Sequence, residues 1–93
     1  SSRKAHRLVK YIQNKHPELA MEVVLRIYHA NFVENKVIAD TDVLVEITNE
    51  LGLDEKEIRD FLEGESYSFE VQIDEEDAIQ MGVESIPLYI LKR

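Results

Sequence analysis

Apolar residues recur along the chain at helical spacing. Ala5, Leu8, Val9 and Ile12 stand at i, i+3, i+4 and i+7. That predicts an amphipathic helix over about residues 3–15, capped by Ser1 or Ser2. "NKHP" ends it, because a residue before proline is pushed out of the α region, here His16. Pro17 then suits the first turn of a second helix, where its missing N–H costs nothing. That helix, about 17–35, is apolar almost all round. Ala20, Val23, Val24, Ile27 and Tyr28 form one stripe and Leu25, Phe32 and Val33 a second, which predicts a central position. Asp40 or Thr41 caps a third helix with Val43, Leu44, Ile47 and Leu51 inward, and Gly52 supplies its left-handed stop. "DEKE" reads as a capping box, with Asp54 as cap and Glu57 third. Ile58, Phe61 and Leu62 face inward from the fourth helix, which ends at Gly64. A fifth starts near Ser66 and ends at Gly82. Tyr67, Val71, Ala78 and Met81 keep helical spacing with Asp74 on their face, while Phe69, Ile73 and Ile79 lie elsewhere on the cylinder. The expected core is Leu8, Ile12, Val24, Ile27, Leu44, Ile47, Leu51, Ile58, Leu62, Val71 and Met81.

One segment breaks the pattern. Residues 82–93 read "GVESIPLYILKR", a Ser-Ile-Pro step followed by a β-type apolar run. A single strand after five helices has nothing in this chain to pair with.

Composition narrows the class. With 93 residues, 44% apolar and 32% charged, the chain suits one small globular domain. Three Gly and two Pro leave little room for the turns of a β-sandwich. The apolar runs are too short to cross a bilayer, no signal-peptide pattern opens the chain, and no membrane role is expected. The first residue is Ser rather than Met, which fits a piece of a longer protein. Cysteine is absent, so the chain holds no disulfide, no thiolate nucleophile and no Cys-based metal site.

The net charge of −8 is unevenly spread. Residues 1–17 carry Arg3, Lys4, Arg7, Lys10 and Lys15 with a single type of charge up to Pro17. Residues 66–84 carry Glu70, Asp74, Glu75, Glu76, Asp77 and Glu84 and no base. The split suggests that the first and last segments lie side by side. Overall acidity disfavours nucleic acid, whose binding rests on phosphate neutralisation. Residues 43–62 have the helix-turn-helix outline, but the would-be reading helix opens Asp54-Glu55-Lys56-Glu57, which repels phosphate; a plain helical hairpin is the better reading. His6, His16 and His29 form no HxxxH or HExxH pair and read as ordinary surface or half-buried histidines. "DEEDA" lacks calcium-loop spacing and sits inside a helix, so it reads as a solvated face. No metal, no cofactor and no catalytic residue is nominated within this chain.

Three segments together carry a family resemblance: "AHRL" at 5–8, "LGLDEKEIRDFL" at 51–62 and "Y…EVQIDEEDAIQMGVESIPLYIL" at 67–91. In that order and spacing the chain resembles the DsbA-like thioredoxin-fold oxidoreductases, in particular the FrnE-like branch, with the 2-hydroxychromene-2-carboxylate isomerases as near relatives. The resemblance implies a mainly α domain of about five helices, residues 1–82, inserted in a thioredoxin fold. Residues 83–93 would be the start of a thioredoxin-fold strand, after a cis-proline, whose partners are absent from this chain. Pro87 matches the family's cis-proline and Ile86 the residue before it, so Ser85, Ile86 and Pro87 are the expected substrate-binding residues. Cis X-Pro is accessible where other cis bonds are not, and it turns a strand end toward an incoming peptide. The catalytic CxxC has no counterpart here.

The implied function is that of a fragment of a thiol-disulfide oxidoreductase or isomerase. Its helices would shape the substrate cleft, its partners would be protein thiols and disulfides met through the parent, and its setting would be the cytoplasm. One alternative is a fragment of a glutathione-dependent 2-hydroxychromene-2-carboxylate isomerase-like protein. Another is a freestanding helical interaction module whose acidic fifth helix faces a basic partner.

Overall fold

The structure is a computed structural model that describes residues 3–80. Within that range five α-helices form the mainly α fold expected: α1 (Arg3–Lys15), α2 (Ala20–Tyr28), α3 (Thr41–Glu50), α4 (Glu55–Glu63) and α5 (Ser68–Gln80). No strand occurs among the described residues. Ser1, Ser2, Met81 and the whole "GVESIPLYILKR" segment, with the expected site residues Ser85, Ile86 and Pro87, lie outside the described range.

The stop and start signals act as their chemistry requires. His16 has φ −139°, outside the α region, and Pro17 opens a 3₁₀ turn, Pro17–Leu19, that leads into α2. At its other end α2 widens into a π turn, His29–Val33, and Asn35 follows in the left-handed region at φ 57°. Asn is among the few side chains that tolerate this conformation. Asp40 caps α3 by accepting from Asp42 N at 2.8 Å, and Asp54 caps α4 by accepting from Glu57 N at 3.0 Å.

The end of α3 is a Schellman motif. Gly52 N donates to Asn49 O at 3.0 Å and Leu53 N to Thr48 O at 3.0 Å, with Gly52 at φ 98°. Gly64 ends α4 differently: its φ is −88°, open to any residue, and an added Cβ would meet only Phe61 O at 3.6 Å and Asp60 O at 4.0 Å. The two glycines should therefore answer mutation differently. Gly52→Ala should cost about 1–2 kcal/mol through left-handed strain, whereas Gly64→Ala should stay within about 0.5 kcal/mol. Urea unfolding followed by circular dichroism distinguishes them.

The core lies where α1, α2, α3 and α4 meet. Leu8, Ile12, Val23, Leu44 and Ile58 are wholly buried, joined by Val9, Val24, Ile27, Ile47 and Leu62. Each such side chain contributes about 1.5–3 kcal/mol on leaving water. Thr48 is buried among them and its hydroxyl is satisfied, donating toward Leu44 O and Val45 O at 3.0 and 3.1 Å. Leu51, expected inside, is only half-buried, because it already belongs to the cap turn and Leu53 fills the core in its place.

Two further expectations differ from the structure. Helix α2 is not sheathed on all sides: Val23, Val24, Ile27 and Ala30 are buried, but Leu25 is 50%, Phe32 63% and Val33 64% exposed. It packs on α1 and α3, which cover one flank only. And α5 begins at Ser68 rather than Ser66, because Tyr67 stands at φ 70°, where no α-helix can run.

Candidate functional site

Three groups of titratable side chains stand out among the described residues, each at a helix seam. In the first, α5 lies against α1 and the opposite charges of the two segments meet, as the charge split suggested. Arg3 pairs with Glu75 at 2.6 Å, and Lys10 Nζ lies 2.7 Å from Asp74 Oδ2. His6 Nε2 is 3.2 Å from the same oxygen, and His6 is 2% exposed. The expectation of a surface or half-buried histidine is therefore wrong for His6. It sits one step off the Ala5–Val9–Ile12 face and is covered only because α5 folds over it. Burial is the largest influence on its imidazole and lowers its pKa, with Asp74 pulling the other way. Its Nδ1 has no hydrogen-bond partner among the described residues.

In the second group, Tyr11, His16 and Glu57 tie the end of α1 to the first turn of α4. Tyr11 Oη donates to Glu57 Oε2 at 2.5 Å, and His16 Nε2 lies 2.8 Å from the same atom. The capping box is thus half-formed. Asp54 caps as expected, but the Glu57 carboxylate turns toward α1. Those two partners hold Glu57 below the usual carboxylate range. Burial, then the hydrogen bond to Glu57, pushes the Tyr11 phenol up to about 12. The Tyr11 ring stacks on Phe61 at 4.4 Å. Beside it, Arg7 is 6% exposed and donates to three main-chain carbonyls: Gly64 O at 2.7 Å, Ser66 O at 2.9 Å and Phe61 O at 3.2 Å. Its guanidinium also lies 5.1 Å over the Phe61 ring. Sequence reasoning counted Arg7 only as one basic charge among several. Backbone carbonyls far along the chain leave no mark in residue types.

The third group lines an open groove of about 440 Å³ between α2 with its π turn and α3. Leu25, Ala30 and Ile47 give it apolar walls. Its rim holds Glu22, Glu34, Glu46 and Glu50 against the fixed cations Arg26 and Lys36, with His29 beside Glu34 at 3.5 Å. Both cations are already engaged: Arg26 with Glu50 at 2.9 Å and Glu22 at 3.5 Å, Lys36 with Glu34 at 3.3 Å and Glu46 at 3.8 Å. Along the outer edge runs the uncovered stripe of α2. Met21 is 60% exposed, and Phe32 sits against the half-buried Tyr28 with ring centroids 5.8 Å apart. Glutamates that read as solvated helix faces one at a time become a rim only when two helices bring them together.

What the described residues define is a five-helix domain with an acid-rimmed groove and a partly apolar outer surface. The chain matches a family described as the DSBA-like thioredoxin domain over residues 1–93, its whole length, and it belongs to that family. No curated protein and no solved structure matches it.

Proposed function

We propose that the chain is the helical part of a DsbA-like thiol-disulfide oxidoreductase or isomerase of the FrnE-like branch, whose helices wall the substrate cleft over a CxxC site carried elsewhere in the parent. The observation that carries this reading is a family match spanning all 93 residues in a chain without cysteine. A redox reaction of that class needs a thiolate made reactive at a helix N-terminus, so this chain contributes shape and not electrons. In this reading residues 1–82 are the insertion and residues 83–93 enter the thioredoxin sheet. Ser85, Ile86 and Pro87 then meet the substrate backbone, protein thiols and disulfides are the partners, and the cytoplasm is the setting. The all-helical range from Arg3 to Gln80 agrees with the insertion.

The test is the coding region about a hundred codons upstream of Ser1. A β-strand pattern followed by CxxC is the expected result. Serine in place of the first cysteine would move the parent to the glutathione-dependent isomerases, and no strand-helix unit at all would overturn the reading.

A further inference from the structure

The α2 flank presents an apolar surface that the described helices do not use. Met21, Leu25, Tyr28 and Phe32 follow one another at i, i+4, i+7 and i+11, a single stripe about 16 Å long. Met21, Leu25 and Phe32 are each at least half exposed, and the Tyr28–Phe32 ring contact keeps the stripe continuous into the π turn. Such turns widen a helix and recur at functional positions. Leu25 belongs both to this stripe and to the groove wall, so the two form one surface.

The charge around that surface selects the occupant. Around the groove four carboxylates outnumber two fixed cations, and each cation is shared between a glutamate near it in the chain and one on α3. A second copy of this chain would bring the same acidic rim against itself, and the whole chain already carries −8. An acidic partner would meet the same repulsion. A ridge beside a groove is the shape that a packed helix fits. We propose that the α2 stripe and its groove dock a basic amphipathic helix. Its apolar side chains would lie on Met21, Leu25 and Phe32, and its Lys or Arg side chains would reach the rim glutamates. The inference stands on this chain alone and does not need the redox reading. A CxxC upstream or its absence would leave it untouched.

The test uses the full chain and fluorescence anisotropy with three synthetic helical peptides of equal length. One carries Leu on one face and Lys on the other. In the second, Glu replaces Lys; in the third, Ser replaces Leu. The Lys/Leu peptide should bind at least tenfold more tightly than either control, and its binding should weaken with added salt. Leu25→Ser with Phe32→Ser should weaken binding at least tenfold with the circular dichroism spectrum unchanged, since both side chains are exposed. Phe69→Ser with Ile79→Ser, on the exposed side of α5, should leave it within twofold. Glu22→Gln with Glu46→Gln should weaken it several-fold and flatten the salt dependence. Equal binding of the Leu peptides regardless of charge, or of the Lys peptides regardless of Leu, would overturn the proposal. So would a self-association that Leu25→Ser with Phe32→Ser abolishes, or no binding at all.

Discussion

Arg7→Met should lower the stability of the domain by about 3 kcal/mol, and with it the melting temperature by about 12–24 °C. The reason is the number and kind of groups that depend on one guanidinium. Arg7 holds Phe61 O and Gly64 O, carbonyls at the C-terminal end of α4, and Ser66 O in the turn to α5. A helix C-terminus carries partial negative charge, so a buried cation there is compensated without a carboxylate. Hydrogen bonds from charged donors contribute about 1.5–3 kcal/mol each, but these three do not add in full, because Gly64 and Ser66 are exposed and water can reach their carbonyls once the side chain is gone. The grip on Ser66 O also fixes the turn in which Tyr67 stands at φ 70°, a conformation that costs a bulky residue about 1–2 kcal/mol and persists only when its surroundings impose it. Arg7→Lys should lose about 2 kcal/mol, because an ammonium cannot span three carbonyls as the planar fork does. Arg59→Met, which breaks only exposed pairs with Asp42 and Glu55, should change stability by about 0.5 kcal/mol or less. Urea and thermal denaturation of the three variants measure all of this. An Arg7→Met loss below about 1 kcal/mol would mean that water satisfies the turn as well as Arg7 does.

How far the sequence could be read depends on the range of each cause. The helices and their ends are local matters. Ala5, Leu8 and Ile12 share a face by geometry alone, Pro17 forbids α backbone at His16, and Gly52 takes the left-handed position without a Cβ penalty. Each was legible from neighbours within four residues. What failed was non-local. His6 looked like any polar helix residue until α5 covered it; the surviving hints were the opposite charges of the two segments and Asp74 on the inward face of the fifth helix. Arg7 binds backbone, which every residue possesses, so nothing in the sequence marks its partners. Glu57 has the right spacing for a capping box, yet Tyr11 and His16 compete for its carboxylate. The apolar circumference of the second helix was correctly seen and wrongly placed. Periodicity reports that two faces are apolar, not that this chain covers both. The second face, with Met21, Leu25 and Phe32, stays exposed, and the candidate docking surface lies there.

Acid should loosen the α1–α5 seam before it protonates the bulk of the carboxylates. His6 is buried between helices, facing Lys10 from its own helix and Asp74 and Glu75 from α5. Burial, assisted by the Lys10 charge, holds its pKa below 6.5, and the two acids only partly offset this. The unfolded chain therefore takes up a proton first. Above pH 6.5 imidazole is neutral in both states and the contribution of His6 is fully present. As the pH falls from 6.5 toward the folded value it is lost, with a slope of at most about 1.4 kcal/mol per pH unit for one proton. His6→Leu should remove that limb of the stability profile. At pH 7.5 it should leave stability unchanged or raise it by about 1 kcal/mol, since it removes the buried Nδ1 that finds no partner among the described residues. Lys10 keeps Asp74 in the variant, so the seam itself should hold. A second loss should follow below pH 4.5, where Glu57, held low by Tyr11 and His16, begins to be protonated in the unfolded chain first. That step should survive His6→Leu and disappear in Glu57→Gln. At the alkaline end Tyr11 runs the other way. Its folded pKa of about 12 exceeds the unfolded 10, so its contribution is intact below pH 10 and fades between 10 and 12. Urea midpoints at half-unit intervals from about pH 2.5 to 7.5, with the His6 ring followed by NMR, separate the two acid steps, and a second series from about pH 9 to 12 reads the Tyr11 step. A His6 resonance titrating above 6.5, or an unchanged slope in His6→Leu, would remove His6 as the cause.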